Sequence, residues 1–434
     1  MPAAPYPRGY WEASAIVAIV VVSLTTLRLG ELLGPVRYLK PVFTATLIGI
    51  ALHLARTAAP AWSRLLSSNA YRMVLLYCLT VVFSFPLSIW RGRTLSTIMV
   101  LPWAIALVTI IGLTRPTVAD VDRLFKWTSW LTAIAAVILV VNGDAVAGRL
   151  TSTGSYDPND LGALFCFGLP LAIGNVLRGR RIDRVISLGA AVILLVALMK
   201  TGSRGALIGL AGGVLALLLA FRMRHVIMIG FLLAVLVPTS WPLLPETMRE
   251  RALTLLSLED DYNATSNSGR IYLWKRGMLF AVQHPLVGIG AGTFEAQIGN
   301  DFQSQGSGGA WHTAHNTFVQ VAAELGFIGL GALLVLLGIY WSAAGKFWSW
   351  KAPAHRPEYF ASLFAYMLCI VFLSHGYSYI LFAVFGFSVL LDSLQSSAVP
   401  PRGRARVSDA HQFKMASSPL KRQTVPLRGP ILGD

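Results

Sequence analysis

At 434 residues, with 55% hydrophobic and only 13% charged side chains, the chain is not a string of soluble domains, which carry about 25% charge. Its formal charge of +16 is no nucleic-acid footprint, because the basic residues fall in short connections and a tail and form no single stripe interleaved with aromatics. Such charge serves instead to orient a polytopic membrane protein.

Taken in order, apolar runs fall at 12–27, 41–55, 71–89, 96–114, 125–142, 160–177, 185–199, 204–221, 225–243, 317–344, 359–373 and 375–393. Several are shorter than the roughly 20 residues of a full crossing, but each is near enough to count, giving about twelve spans. The expected class is an all-α polytopic integral membrane protein. Arg8 precedes the first run and no small-residue cleavage site follows it, so that run reads as a retained anchor. Ser374, His375 and Gly376 form either a tight turn between two spans or a kink in one.

The connection "RGRRIDR" at 178–184, the "RMR" at 222–224 and Lys346, Lys351 and Arg356 all fall on one side with both termini. About 23 basic residues lie there against about 13 on the other side, the bias of a cytoplasmic face. The expected organisation is nine spans over 1–243, a large outer loop over 244–316 and three spans over 317–393. A basic tail over 394–434, rich in Pro, Gly, Ser and Arg, is expected to be disordered. Cys78, Cys166 and Cys369 each lie inside an apolar run, too far apart for a disulfide framework or metal cluster.

A loop as long as 244–316 is usually functional. Within it "SGRIYLWKRGMLFAVQ" (Ser268 to Gln283) sets Ile271, Leu273, Trp274, Met278 and Val282 at helical spacing around Lys275 and Arg276. That is an amphipathic helix suited to the membrane interface. "HPLVGIGAGTF" follows, its glycines marking turns. His315 then stands where a helix begins near Asn316, with Gly326 and Gly329 expected to bend that helix before its lipid-crossing part. A helix N-terminus disfavours a cationic imidazole, and a neutral imidazole can act as a general base. The bland alternative is an interfacial histidine capping a helix.

Two other helix starts on the same side carry arginine. Arg204 follows Ser203, a plausible cap, and Arg270 follows Ser266 and Ser268. Free backbone N–H groups with a guanidinium make an anion site, and arginine grips phosphate oxygens two at a time. Each alone is more often a membrane anchor. Together with His315 they point to a phosphate-bearing lipid headgroup beside a base. "DPNDLG" (Asp157 to Gly162) reads as a turn and cap that might touch a sugar, and the Glu259–Asp261 cluster as a solvated acidic turn. Glu324, one helical stretch beyond His315, orients a partner, binds substrate or pairs with an arginine. No phosphate-binding loop, dinucleotide fingerprint or zinc signature occurs.

"HNTFVQVAAELGFIG" (His315 to Gly329) resembles the signature of the O-antigen ligase and O-antigen polymerase superfamily. "RIYLW" and "HPLVGIGAGTF" resemble the segment before it, and "SRGA" at Ser203 to Ala206 resembles the family's other arginine motif. The resemblance implies a metal-independent, cofactor-free glycosyltransferase of the inner membrane, with its site at the periplasmic face. It would move O-antigen from undecaprenyl diphosphate to a hydroxyl of lipid A–core. His315 would take the acceptor's proton, Arg204 and Arg270 would hold the diphosphate, and Asn316, Glu324, Trp274 and His312 would touch substrate. The expected partners are the lipid-linked donor, the lipid A–core acceptor and membrane lipids, with no nucleic acid.

An O-antigen polymerase or a protein O-oligosaccharyltransferase would use the same donor chemistry. The arginine–ten residues–glycine spacing frequent in polymerases starts at none of Arg149, Arg204, Arg249, Arg251, Arg270 or Arg276. A lipid-linked sugar transporter would place ionisable groups at mid-bilayer and broken helices in paired positions. Here the polar residues gather at one interface.

Overall fold

The structure, a computed structural model, describes residues 59–220 apart from 115, 143, 147 and 152–155, together with 269–304, 306, 311–348, 354–398 and scattered positions at 19, 22 and between 226 and 249. The expected spans at 12–27 and 41–55, most of that at 225–243, the Glu259–Asp261 cluster and the tail after Pro400 lie outside the described residues.

Helices α1 (Ala59–Ser67) and α2 (Asn69–Phe83) meet at a 62° bend. Ser68 sits at the bend, where its hydroxyl caps α2 by accepting the Tyr71 N–H. α3 (Arg91–Ile98) and α4 (Leu101–Leu113) together make one apolar stretch of 23 residues. α5 runs from Val118 to Asn142. A short antiparallel hairpin, β1 (Asp144–Val146) with β2 (Arg149–Thr151), follows it, an element the all-helical expectation did not include.

α6 (Pro158–Arg178) opens on the anticipated turn and cap. Asp157 accepts the N–H groups of Asn159 and Asp160, and the Asp160 carboxylate reaches back to the Asp157 N–H. α7 (Arg181–Thr201) ends at Gly202 in the left-handed conformation. α8 (Arg204–Ala220) starts under the expected Ser203 cap, whose hydroxyl accepts the Ala206 N–H at 3.3 Å. Further on come α9 (Arg270–Gln283), α10 (Phe294–Ser304), α11 (Thr317–Trp348), α12 (Pro357–Ile370) and α13 (Tyr379–Ala398).

The chain is a mostly helical, multi-pass membrane protein. Among the described residues five helices are long and apolar enough to cross a bilayer, or up to six if the bent pair is one span. Arg204–Ala220, Pro357–Ile370 and Tyr379–Leu394 are apolar but shorter. The described residues therefore do not reach the expected count of about twelve. For α12 the reason is visible. The helix stops at Ile370, and a turn carrying Ser374, His375 and Gly376 separates it from α13. This settles the turn-or-kink alternative as a turn.

The described elements up to Leu394 form one compact unit. In it, α6 packs against α5, α7, α8 and α12, and α11 packs against α2, α9 and α12. Three ionic contacts lie at one end of this bundle. Arg356 grips Asp122 at 2.7 Å, Arg178 meets Glu358, and Lys126 meets Asp183 at 3.3 Å. The start of α6, the end of α7, the start of α8 and the end of α12 lie at the other end, which carries the candidate site. A second, smaller apolar cluster builds that end: Leu273 and Phe280 of α9, Ile289, Phe294, Ile298 and Phe302, and Ala314, Val319 and Ala323 at the head of α11.

α11 is broken where the sequence placed a glycine bend. Gly326 has φ 68° and ψ −170°, a conformation open essentially to glycine alone. Freed carbonyls of the broken turn accept N–H groups from the glycine-rich loop, Ile289 to Ala323 and Gly290 to Glu324. The Phe327 N–H in turn donates to the Pro285 carbonyl at 2.8 Å. The loop thus substitutes for the missing helical bonds, which makes a break tolerable in an apolar setting.

Candidate active site

The stretch from Trp311 to Asn316 crosses this end of the bundle, and most of its fixings are backbone bonds. The Trp274 indole N–H donates to the Ala314 carbonyl at 3.0 Å. The His315 N–H donates to Ser374 Oγ at 2.9 Å. Asn316 caps α11, its Oδ1 accepting the N–H groups of Phe318 and Val319 at 2.9 and 3.0 Å. His315 therefore precedes the cap and does not occupy it. It is the one non-glycine residue with positive φ (46°) among those described, a conformation that costs energy and recurs at functional sites.

The turn after α12 clamps the same place. The His375 N–H donates to Thr317 Oγ1, which donates to the Leu373 carbonyl, and the Gly376 N–H donates to Gln320 Oε1. The His375 side chain is buried at 3% exposure, with Nε2 at 2.9 Å from Asp160 and Nδ1 at 2.9 Å from the Tyr366 hydroxyl. A neutral ring with its proton on Nε2 satisfies both, donating to the carboxylate and accepting from the phenol.

The His315 imidazole lies half-buried among charged groups. Burial and then the Arg270 guanidinium press its pKa below the usual histidine value, Asp157 raises it, His312 lowers it and Asp160 raises it. The downward direction is the one the sequence reading expected, and its largest causes are burial and Arg270. Arg270 opens α9, with its guanidinium 6.0 Å from the Phe372 ring. Arg204 opens α8, and its neighbour Gly205 is so close to Phe372 that an added Cβ would lie 3.1 Å from it. Both arginine-bearing helix starts thus converge on Phe372, which also faces Trp274 at 6.4 Å.

The remaining expected residues divide. His312 packs edge-on against Phe302 at 5.9 Å. Glu324 is 1% exposed and accepts the Phe294 N–H at 2.9 Å. In α9, Leu273 turns inward at 2% exposure, while Ile271, Met278 and Val282 remain exposed. Sequence reasoning assigned no role to His375, Ser374 or Arg149. Arg149 ties the hairpin to the site, donating to the Thr201 carbonyl at 2.8 Å and to Asn159 Oδ1 at 2.9 Å. A polar "SHG" triplet between two apolar runs was the available signal for the first two. Among the described residues no group of three or more His, Cys, Asp or Glu side chains is placed to hold a metal ion.

Residues 189–334 match the family model described as O-antigen ligase. Over this segment the chain is similar to the O-antigen ligase family. The matched residues run from within α7 into α11 and include Arg204, Arg270 and His315, whereas Asp160, Ser374 and His375 fall outside them. Four chains of solved structures are similar. One, described as "Structural coordination of polymerization and crosslinking by a peptidoglycan synthase complex", has 19% identity and a TM-score of 0.44, covering 77% of this chain and 100% of that chain. No curated protein matches.

Proposed function

We propose that this chain is an O-antigen ligase superfamily member that transfers O-antigen polysaccharide from undecaprenyl diphosphate to a hydroxyl of lipid A–core, at the periplasmic face of the bacterial inner membrane. His315 takes the proton of the acceptor hydroxyl. The acceptor oxygen bonds to the anomeric carbon as the bond from that carbon to the diphosphate breaks. The bonding pair leaves with the diphosphate, whose charge Arg204 and Arg270 hold bidentately. No metal or nucleotide enters, since the lipid diphosphate is already an activated leaving group.

The observation that carries this reading is the half-buried His315 imidazole, set in a strained turn with its pKa pressed down by burial and by Arg270. A general base must be unprotonated at the working pH and held in place, and the lowered pKa and the backbone bond to Ser374 support that reading. In this reading the chain crosses the membrane about twelve times. The donor diphosphate docks between the starts of α8 and α9, with Trp274, His312, Asn316 and Glu324 lining the approach of the sugars.

The test is a deletion strain examined by lipopolysaccharide gel. Loss of a ligase leaves long polymer on undecaprenyl diphosphate and bare lipid A–core, which is the expected result. A band of core bearing a single repeat would instead assign the chain as a polymerase.

A further inference from the structure

A cavity of about 350 Å³ is lined by Thr313 and Ala314, with Arg270 not among its lining residues. One face of α3 supplies Arg93, Ser96 and Thr97, continued by Val100 at the N-cap of α4. Opposite stand Gln320 and Glu324 of α11, with Ser374 and Tyr377 of the clamping turn. The volume is that of a small-ligand site, for which about 300–1,000 Å³ is usual.

Its chemistry differs from that of the arginine side. Glu324 is buried, and no cation stands within ion-pair distance of it among the described residues. At the mouth, Arg93 is already engaged with Glu295 at 3.5 Å. The loop N–H groups that could have cradled an anion are spent, those of Ile289 and Gly290 on α11 carbonyls, that of Ala291 on Ser84 and that of Phe294 on Glu324 itself. A phosphate would meet two carboxylates and no free donor cluster. A neutral polyhydroxylated ring would instead find carboxylate and amide acceptors, hydroxyls that both give and take, and Phe294 and Tyr377 as apolar walls. Trp90 and Trp311, both about half exposed and paired edge to face at 6.2 Å, stand three and two residues from the lining residues Arg93 and Thr313.

We infer that this cavity is a neutral-saccharide subsite, separate from the arginine-lined anion site and joined to it by the loop that carries His315. In the transfer reaction, on which the pyrophosphate arm and the last arm of the test rest, it holds a sugar unit of the acceptor or of the donor while the reacting hydroxyl sits at the imidazole.

The experiment uses the full chain in lipid nanodiscs, free of sugar detergents. The probes are a neutral hexose disaccharide, its N-acetylhexosamine counterpart, and inorganic pyrophosphate, with binding read by calorimetry. Two variants alter the cavity: Ser96→Phe fills it from an exposed helix position, and Glu324→Gln keeps the acceptor for the Phe294 N–H while removing the charge. Saccharide binding is expected to weaken about tenfold or more in both, with pyrophosphate binding unchanged. Arg270→Lys is expected to do the reverse. Failure of the unaltered protein to bind either saccharide, or unchanged saccharide binding in both variants, would each overturn the inference, whatever reaction the protein performs, and so would loss of pyrophosphate binding in Ser96→Phe. In steady-state transfer, a raised KM for the acceptor alone identifies an acceptor sugar. A raised KM for the lipid-linked donor alone identifies a donor sugar. No change in either overturns the subsite.

Discussion

His315 draws its chemistry from its neighbours, and its pH behaviour follows from them. Only the neutral ring can accept a proton, and burial and Arg270 hold its pKa below the ordinary value of about 6.5. Transfer should therefore stay level through neutral pH and fall only on the acid side, below that value. Arg270→Gln removes a cation that disfavours protonation, so the acid limb of the pH–rate profile should move upward. Asp160→Asn removes an anion that favours it, so the limb should move down. A profile unmoved by both changes would show that another group limits the rate. His315→Ala should cost on the order of 100- to 10,000-fold in transfer, with expression and donor binding retained. Arg204→Lys and Arg270→Lys keep the charge but lose the planar fork, so neither should restore the activity of the arginine protein. Full activity in both lysine variants would reduce these arginines to membrane anchors.

At the scale of elements, the broken helix α11 is the part most exposed to test. Gly326 lies in a backbone region that costs other residues of order 1–3 kcal/mol. A Cβ there would also stand 2.6 Å from the Leu286 carbonyl carbon and oxygen, which are backbone atoms and cannot rotate away. Gly326→Ala should lower the thermal midpoint of the purified protein and impair transfer, because the displaced loop holds Glu324 and the head of α11. Gly331→Ala is the matched control, since an added Cβ meets nothing within 4 Å there. Equal melting of the two variants would mean that the loop is not coupled to the helix break. The sequence marked this bend through its glycine and marked the start of α11 through Asn316. It did not show that Pro285 and Gly290 complete the hydrogen bonding, because partners some 40 residues apart share no local pattern.

For the whole molecule, the charge bias predicts that the 178–184 connection is cytoplasmic and that 255–300 is periplasmic. With the native cysteines Cys78, Cys166 and Cys369 replaced, single cysteines at positions 180 and 260 should divide cleanly in intact spheroplasts. An impermeant thiol reagent should label 260 and spare 180. The opposite pattern would invert the orientation and remove the periplasmic site. Arg178, Lys126 and Arg356 pair at one end of the bundle, and Arg149, Asp160 and His375 have their partners at the other.

The sequence by itself determined the membrane class, the caps at Ser203 and Asp157, and the three helix starts that carry Arg204, Arg270 and His315. Hydropathy, capping and helix-end chemistry are all local, so they are written in runs of a few to about 20 residues. It overcounted what the described helices deliver as full crossings, because an apolar run does not reveal where a polar turn will end the helix. Only the tertiary structure decided that the turn at Ser374 and His375 would grip the backbone of His315 and Thr317, that Asp160 would stand between two histidines, and that a saccharide-sized cavity would open behind the catalytic loop. Each of these joins residues more than 50 positions apart, and such pairs are selected by how helices pack, which no stretch of sequence specifies alone.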